Sequence, residues 1–173
     1  MTTQRTVLVT GGNRGIGYSI AEQFIALGHR VAVTARSGSG PDGALTVRAD
    51  VTDAASIDAA FSEVEAALGP VEILVANAGI TRDTLLLRMS EDDFTDVIDT
   101  NLSGAFRDVK RASKGMLKAR FGRIILVSSV VGLLGSAGQV NYSASKSGLI
   151  GLARSITREL GSRGGPSSRR RSG

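Results

Sequence analysis

Residues 7–17, VLVTGGNRGIG, determine how the rest of the chain is organised. The apolar run 7–9 suits a strand that is buried on both faces. Gly11, Gly15 and Gly17 follow at a spacing typical of a tight turn that opens a helix. A helix starting near Gly15 directs its free N–H groups and the positive end of its dipole at the turn. The stretch therefore predicts a site for the phosphates of a nucleotide; the alternative is an ordinary strand–turn–helix corner.

Composition limits the kind of protein this is. A chain of 173 residues, 42% of them hydrophobic, suits one domain with a sizeable core. Cysteine is absent and His29 is the single histidine, so we expect neither disulfides nor a metal site, and we expect His29 to complete a helix end. The sequence shows no apolar leader and no run long enough to span a membrane, which predicts a cytoplasmic protein.

The positive charge is concentrated at one end of the chain. The net charge is +5, and residues 169–171 contribute three arginines where the last ten residues hold no acid. Aromatic residues make up 4%, and no basic stripe alternates with them. We therefore do not expect a nucleic-acid surface.

Apolar runs and helical periodicity alternate along the chain. Strands are predicted at residues 7–9, 31–35, 45–49, 71–76 and 124–127, and the main helices at 15–27, 53–68, 90–119 and 142–160. Strands that alternate with helices require a parallel sheet with helices on both faces, reached by right-handed crossovers. The predicted fold class is a doubly wound α/β fold, the Rossmann fold, over a domain of residues 1–163.

Small or polar residues follow every predicted strand. They are the glycine turn, Arg36, Asp50 and Val51, Asn77 to Gly79, and Ser128 and Ser129. Carboxyl ends of parallel strands share one rim of the sheet, where ligands of this fold class bind. We expect Asp50 to accept from an adenine amino group and Asn77 to brace the nucleotide.

Arginine stands where an acid usually binds the ribose hydroxyls of NAD. Arg36, together with Arg14 in the glycine turn, suits a ribose 2′-phosphate and predicts NADPH/NADP⁺ rather than NADH. Two solvated surface arginines are the alternative.

A second cluster comprises Ser129, Tyr142 and Lys146. Tyr142 and Lys146 are four residues apart at the start of a helix and therefore share a face. A nearby ammonium favours the phenolate, so we expect Tyr142 to act as a general acid–base towards a carbonyl oxygen that Ser129 holds. A surface pair is the alternative for Tyr142 and Lys146 taken alone.

These motifs together resemble the short-chain dehydrogenase/reductases over residues 5 to about 163. The matching motifs are Thr10-Gly11-x-x-x-Gly15-x-Gly17, Asn77-Ala78-Gly79, Asn101, Ser129 and Tyr142-x-x-x-Lys146. The resemblance implies that Asn101 holds a relay water, that Lys146 binds the nicotinamide ribose, and that subunits form dimers or tetramers. The implied catalytic residues are Ser129, Tyr142, Lys146 and Asn101; the implied cofactor-binding residues are Gly11, Asn13, Arg14, Gly15, Ile16, Gly17, Arg36, Asp50, Val51, Asn77, Ala78, Gly79, Tyr142 and Lys146.

More narrowly, residues 79–83, 86–89, 101–106, 129–132 and 139–142 look like 3-oxoacyl-acyl-carrier-protein reductases. That likeness implies reduction of 3-oxoacyl thioesters on an acyl carrier protein in fatty acid biosynthesis. Two alternatives stay open. The chain acts on another small carbonyl or alcohol substrate, or it is a non-catalytic remnant that binds nucleotide or pairs with full-length subunits. Arg120, Arg123 and Arg163, expected near the rim, are either a steering surface for the acidic carrier or solvated charges.

The likeness breaks after residue 163. Family members continue with a sixth strand, a substrate lid and a seventh strand, whereas residues 164–173 have the composition of a disordered basic tail. A frameshift is our interpretation. We expect strand 124–127 to form an open apolar edge, and the product to be inactive or poorly folded although its catalytic residues are present.

Overall fold

A five-stranded parallel sheet forms the centre of the molecule in the computed structural model, which describes residues 3–161. The strands are β1 Thr6–Thr10, β2 Arg30–Ala35, β3 Ala44–Arg48, β4 Ile73–Ala76 and β5 Arg123–Leu126. Their order is β3-β2-β1-β4-β5, so the direction of winding reverses between β1 and β4. The predicted fold class is confirmed, while Arg163 and the predicted tail lie outside the described residues.

Helices connect the strands at close to the predicted positions. They are α1 Gly15–Ala26, α2 Ala54–Leu68, α3 Glu91–Ile98, α4 Gly104–Ala119, α5 Val131–Leu134 and α6 Val140–Gly161. Asp53 caps α2 by accepting from the Ala55 amide, as an aspartate before a helix is expected to do. None of the helices within residues 3–161 combines the length and apolar character needed to cross a bilayer.

The helix predicted over 90–119 contains a π turn. Ser90 and Asp93 form a capping box that starts α3, but residues Asp99–Ser103 form the π turn before α4 begins. The extra residue of a π turn rotates the helix faces before and after it relative to each other. The prediction of one apolar side is therefore wrong in part, because Phe94 and Phe106 are 37% and 49% exposed.

Each face of the sheet has its own core. Helices α2 and α4 cover one face, where Phe61 and Val109 pack with Leu8 of β1. Helix α1 covers part of the other face, where Ile20 and Phe24 pack against strand residues. The predicted apolar positions Ile16 and Leu27 of that helical segment are instead 66% and 65% exposed, so only the middle of its apolar stripe reaches the sheet.

Strand β5 is an edge of the described sheet. It pairs with β4 alone, and none of its residues is buried. Ile125 is 44% exposed, whereas Val75, its register partner in β4, is fully buried. The expectation of an open apolar edge at this strand is confirmed for the residues described.

Candidate nucleotide and catalytic site

The glycine turn after β1 permits close packing that side chains would prevent. A Cβ on Gly11, whose φ is +64°, would lie 2.9 Å from the Cα of Ala78. A Cβ on Gly17 would lie 2.6 Å from the carbonyl oxygen of Gly11 and would also meet the Asn77 side chain. Arg14 precedes α1 and makes no side-chain cap, so the first amides of α1 keep their donors for another acceptor. This cradle fits the phosphates of a nucleotide.

A cleft of about 380 Å³ lies beside this turn. Residues from all the strand ends except that of β5 line it: Gly11, Asn13, Arg14, Gly15, Ile16, Thr34, Ala35, Arg36, Ala49, Asp50, Val51, Asn77, Ala78, Gly79, Ile80 and Thr100. Gly17 stands behind this lining, packed against Asn77. The structure thus brings the predicted nucleotide residues of four strand ends to one cleft.

The polar groups of this cleft differ in how they are engaged. Oδ1 of Asp50 accepts from the amide and hydroxyl of Thr52, at 2.9 and 2.7 Å. These bonds, with a smaller contribution from the positive charge of Arg36, lower the pKa of Asp50. The side chains of Arg14 and Arg36 make no hydrogen bond or ion pair within residues 3–161, so both guanidinium groups are available to an anion in the cleft.

Asn77 joins the end of β4 to the glycine turn. Its Nδ2 donates to the carbonyl oxygens of Thr10 and Gly11, at 3.0 and 3.2 Å. The amides of Asn77 and Ala78 both donate to Oγ1 of Thr10, each at 3.2 Å. The sequence motif included Thr10, but its hydroxyl was not singled out as a site group. It holds the two loops of the cleft together.

Ser129, Tyr142 and Lys146 line a second cavity of about 370 Å³. It shares five residues with the first cleft: Arg14, Ile16, Asn77, Gly79 and Ile80. The predicted catalytic side chains therefore stand at one end of the predicted nucleotide cleft.

Lys146 is held in a largely buried position. It is 5% exposed, and its Nζ donates to the carbonyl oxygen of Val127 at 2.8 Å. The same Nζ lies 5.7 Å from the centre of the Tyr142 ring. Burial lowers the pKa of Lys146, because the charged form loses hydration. Oγ of Ser129 accepts from the Val131 amide at 3.3 Å, which leaves its hydroxyl proton for another partner.

Asn101 lies in the π turn, 1% exposed, behind this cavity. Its Oδ1 accepts from the amide of Ile80 at 2.8 Å, and its Nδ2 donates to the carbonyl oxygen of Ile80 at 3.0 Å and to Oγ of Ser145 at 3.1 Å. Ser145 in turn donates to the carbonyl oxygen of Tyr142. Sequence reasoning missed Ser145, because a serine between Tyr142 and Lys146 carries no signal of its own.

Asn141 fixes the start of α6 and was singled out only as part of a motif. It is fully buried, and its Nδ2 donates to the carbonyl oxygens of Arg82 and Asp93, both at 3.0 Å. Its Oδ1 accepts from the amide of Tyr142 at 2.8 Å. Helix α6 is thereby anchored to the segment that follows β4 and to α3.

The expectation that Arg120 and Arg123 lie near the rim is wrong. Arg123 is the first residue of β5, and Arg120 ends the helix before it, whereas Ser129 follows the carboxyl end of that strand. Arg123 contacts the ring of Phe121 with its guanidinium 5.2 Å from the ring centre. Both arginines therefore lie at the opposite end of β5 from the cavity.

Comparison with known proteins agrees with this geometry. The family model described as short chain dehydrogenase matches residues 5–164. The chain is 57% identical to the 3-oxoacyl-[acyl-carrier-protein] reductase MabA of Mycobacterium avium over 160 residues, which cover 92% of this chain and 63% of that protein. It is 46% identical to the 3-oxoacyl-[acyl-carrier-protein] reductase FabG of Escherichia coli K12 over 168 residues, which cover 92% of this chain and 69% of that protein.

The chain thus spans 63% of the length of the mycobacterial relative. The match of the family model runs through every strand and helix that carries a site residue. With the glycine turn, the Asn77 segment and the Tyr142–Lys146 helix arranged around adjoining cavities, the chain belongs to the short-chain dehydrogenase family.

Proposed function

We propose that this chain carries the site of an NADPH-dependent reductase of 3-oxoacyl thioesters bound to acyl carrier protein, acting in fatty acid biosynthesis. The observation that carries the proposal is the junction of the two cavities, which sets Ser129, Tyr142 and Lys146 against the end of the nucleotide cleft. The names of the relatives support the substrate class. A cytoplasmic location and assembly into dimers or tetramers belong to the same proposal.

The nucleotide is held by groups that match its parts. The glycine turn and the open amides of α1 receive the pyrophosphate, and Arg14 and Arg36 pair with the 2′-phosphate. Asp50 and Val51 border the adenine, and the segment Asn77 to Gly79 lies against the middle of the cofactor. When bound, the cofactor supplies a hydride to the carbonyl carbon of the substrate.

The side chains of the second cavity supply the proton that the carbonyl oxygen receives. Tyr142 donates its hydroxyl proton to the carbonyl oxygen, and Ser129 holds that oxygen with its own hydroxyl. Lys146, fixed by the carbonyl oxygen of Val127, places its Nζ beside the Tyr142 ring and binds the nicotinamide ribose. Asn101 contributes Oδ1, which has a second lone pair for a relay water beyond its bond to the Ile80 amide.

A second candidate is a chain that binds nucleotide without turnover. The exposed edge at β5, which adjoins the cavity through Val127 and Ser128, favours it, because the substrate side of the site is less enclosed than the nucleotide side. This candidate predicts NADPH binding with no reduction of a thioester.

The test is NADPH oxidation by the purified chain with acetoacetyl-coenzyme A, measured as the loss of nicotinamide absorbance. We expect Tyr142→Phe to lower turnover by roughly 100-fold or more, since positioned acid–base groups contribute about 10²–10⁴. The matched control is Tyr18→Phe, which removes the chain's other tyrosine hydroxyl, in α1, and should leave turnover unchanged. Equal turnover in all three proteins would contradict the proposal; nucleotide binding without turnover would support the second candidate.

A further inference from the structure

Asp108 is a buried carboxyl that the proposed reaction does not use. It lies in α4 and is 1% exposed. Its Oδ1 has no hydrogen-bond partner, although an unpaired carboxyl oxygen in a protein interior is costly. The side chain of Thr10, at the end of β1, lies within hydrogen-bonding reach of this carboxyl and lowers its pKa, against the larger effect of burial. A group that is costly to bury and makes one specific contact calls for a physical reason.

The bonds of Thr10 supply that reason. Oγ1 of Thr10 accepts from the amides of Asn77 and Ala78, each at 3.2 Å. A hydroxyl oxygen has two lone pairs and one proton, so both lone pairs are occupied and the proton requires a separate acceptor. The Asp108 carboxyl meets that requirement from the side of α4.

The position of this hydroxyl affects the whole nucleotide cleft. It joins the glycine turn to the segment after β4, two loops so close that a Cβ on Gly11 would lie 2.9 Å from the Cα of Ala78. If the hydroxyl rotated to find another acceptor, at least one of the two amides would lose its partner. The cleft wall formed by Asn77 and Ala78 would then separate from the turn.

We propose that Asp108 is a positioning residue of the nucleotide cleft: its carboxyl fixes the Thr10 hydroxyl in the orientation that accepts the Asn77 and Ala78 amides. The effect on nucleotide affinity rests on the proposed function; the effect on the two loops does not. Asp108 touches no reacting atom and acts only through Thr10.

The surroundings of Asp108 allow it to act in either protonation state. Burial raises the pKa of Asp108 to about 7, against the smaller opposing effects of the Thr10 bond and the charge of Arg107. A protonated carboxyl still accepts through its carbonyl oxygen, so the bond from Thr10 persists when the charge is lost. An amide at this position therefore also serves as the acceptor.

Charged groups on the elements packed around α4 are engaged elsewhere. Arg107 donates to the carbonyl oxygen of Val51 and to Asp99. On α2, Asp58 and Glu65 are paired with Arg111. On α6, the Lys146 ammonium donates to the carbonyl oxygen of Val127.

The experiment measures amide hydrogen exchange by NMR in the full 173-residue chain, comparing the Asn77 and Ala78 amides with that of Val75, a buried residue of the strand that precedes them. Asp108→Leu removes the acceptor, Asp108→Asn keeps it, and Val109→Ala is the control for a lost core contact in α4. We expect Asp108→Leu to accelerate exchange at both amides at least tenfold relative to Val75. We expect Asp108→Asn and Val109→Ala to stay within about threefold of the parent, because both variants keep an acceptor for the Thr10 hydroxyl.

Two outcomes would overturn the inference. One is unchanged relative exchange at Asn77 and Ala78 in Asp108→Leu; the other is the same acceleration in Asp108→Asn or Val109→Ala. A parallel titration with NADPH separates this inference from the proposed function. If the exchange rates change as expected but the parent does not bind NADPH, the proposed function alone is contradicted. If the parent binds NADPH tightly, and Asp108→Leu alters neither that binding nor the exchange rates, the role of Asp108 alone is contradicted.

Discussion

Strands β1 and β5 lie on the same sheet, but their surroundings are opposite. Every residue of β1 is buried, between a strand on each side and a helical layer on each face. No residue of β5 is buried, and it has one neighbouring strand. Parallel strands are normally buried on both faces. β1 meets that requirement and β5 does not.

The two cavities differ in the same way, because one follows the buried strand and the other follows the exposed one. Asn77 joins the end of β1 and the glycine turn that follows it through hydrogen bonds of 3.0–3.2 Å to Thr10 and Gly11. The residues that follow β5 lead into α5, whose Leu133 and Leu134 are 71% and 81% exposed. The proposed nucleotide cleft therefore has stronger structural support than the proposed substrate side. Four measurements test this contrast.

The largest effect that we expect concerns the free-energy cost of burying Asp108 beside the end of β1. Burial raises the pKa of Asp108 from 3.8 to about 7, so the folded state binds its proton more tightly than the unfolded state does. The free energy of unfolding should therefore fall as pH rises from about 4 to 7, by up to about 4 kcal/mol, and then level off. Asp108→Asn should remove that fall and be more stable than the parent at pH 8. Urea unfolding at several pH values measures this; parallel curves for the two proteins would refute it.

The next effect separates two glycines in helices. Gly17→Ala places a Cβ against Asn77 and the carbonyl oxygen of Gly11, so it should weaken NADPH binding by roughly 100-fold and lower stability by about 2 kcal/mol. Gly151 in α6 has open space around it and no positive φ, so Gly151→Ala should be neutral or stabilising by about 0.5–1 kcal/mol. Titration with NADPH and thermal unfolding measure both. Similar losses in the two variants would show that the turn is not the sensitive part.

Register partners on β4 and β5 give a third comparison. Val75→Ala empties a fully buried position and should cost about 2 kcal/mol of unfolding free energy. Ile125, the register partner of Val75, is 44% exposed. Ile125→Ala should therefore cost less than about 1 kcal/mol of unfolding free energy and should reduce aggregation at high concentration. Denaturant unfolding and light scattering are the measurements. Equal costs would mean that β5 is covered in solution.

The smallest effect is one of selectivity. Arg36→Ser should lower affinity for NADPH by about tenfold and leave affinity for NADH nearly unchanged, because only NADPH carries the 2′-phosphate. Arg48→Ser, which removes an exposed arginine at the end of β3, serves as the control. Binding of both nucleotides is followed by fluorescence titration. A parallel loss for NADH would assign Arg36 a role other than selectivity.

Sequence patterns were sufficient for features that depend on local periodicity. The apolar runs located β1 to β5, and the carboxyl-end rule for parallel strands grouped Arg36, Asp50 and Asn77 around one cleft. The π turn was not predicted, because a single extra residue leaves the average helical spacing of residues 90–119 almost intact. The roles of Ser145 and Asp108 depend on contacts with residues 44 and 98 positions away in sequence, Asn101 and Thr10. Such contacts are visible only after folding.

The placement of Arg120 and Arg123 shows a different limit. Both were expected near the rim that carries Ser129, and both are near that residue in sequence. A strand carries the chain across the sheet, so residues at its two ends lie at opposite edges of the molecule. Proximity along a strand is therefore a poor guide to proximity at a site.

The π turn at Asp99–Ser103 makes this helical region unusually sensitive to a change in chain length. A π turn corresponds to one residue inserted into an α-helix. Deleting a single residue there would restore regular winding and turn everything beyond it by about 100° relative to α3. Asn101 would lose its alignment with Ile80, and Asp108 its alignment with Thr10. Substitutions in this segment are therefore expected to be better tolerated than deletions, since the count of residues, as much as their identity, sets the geometry of the site.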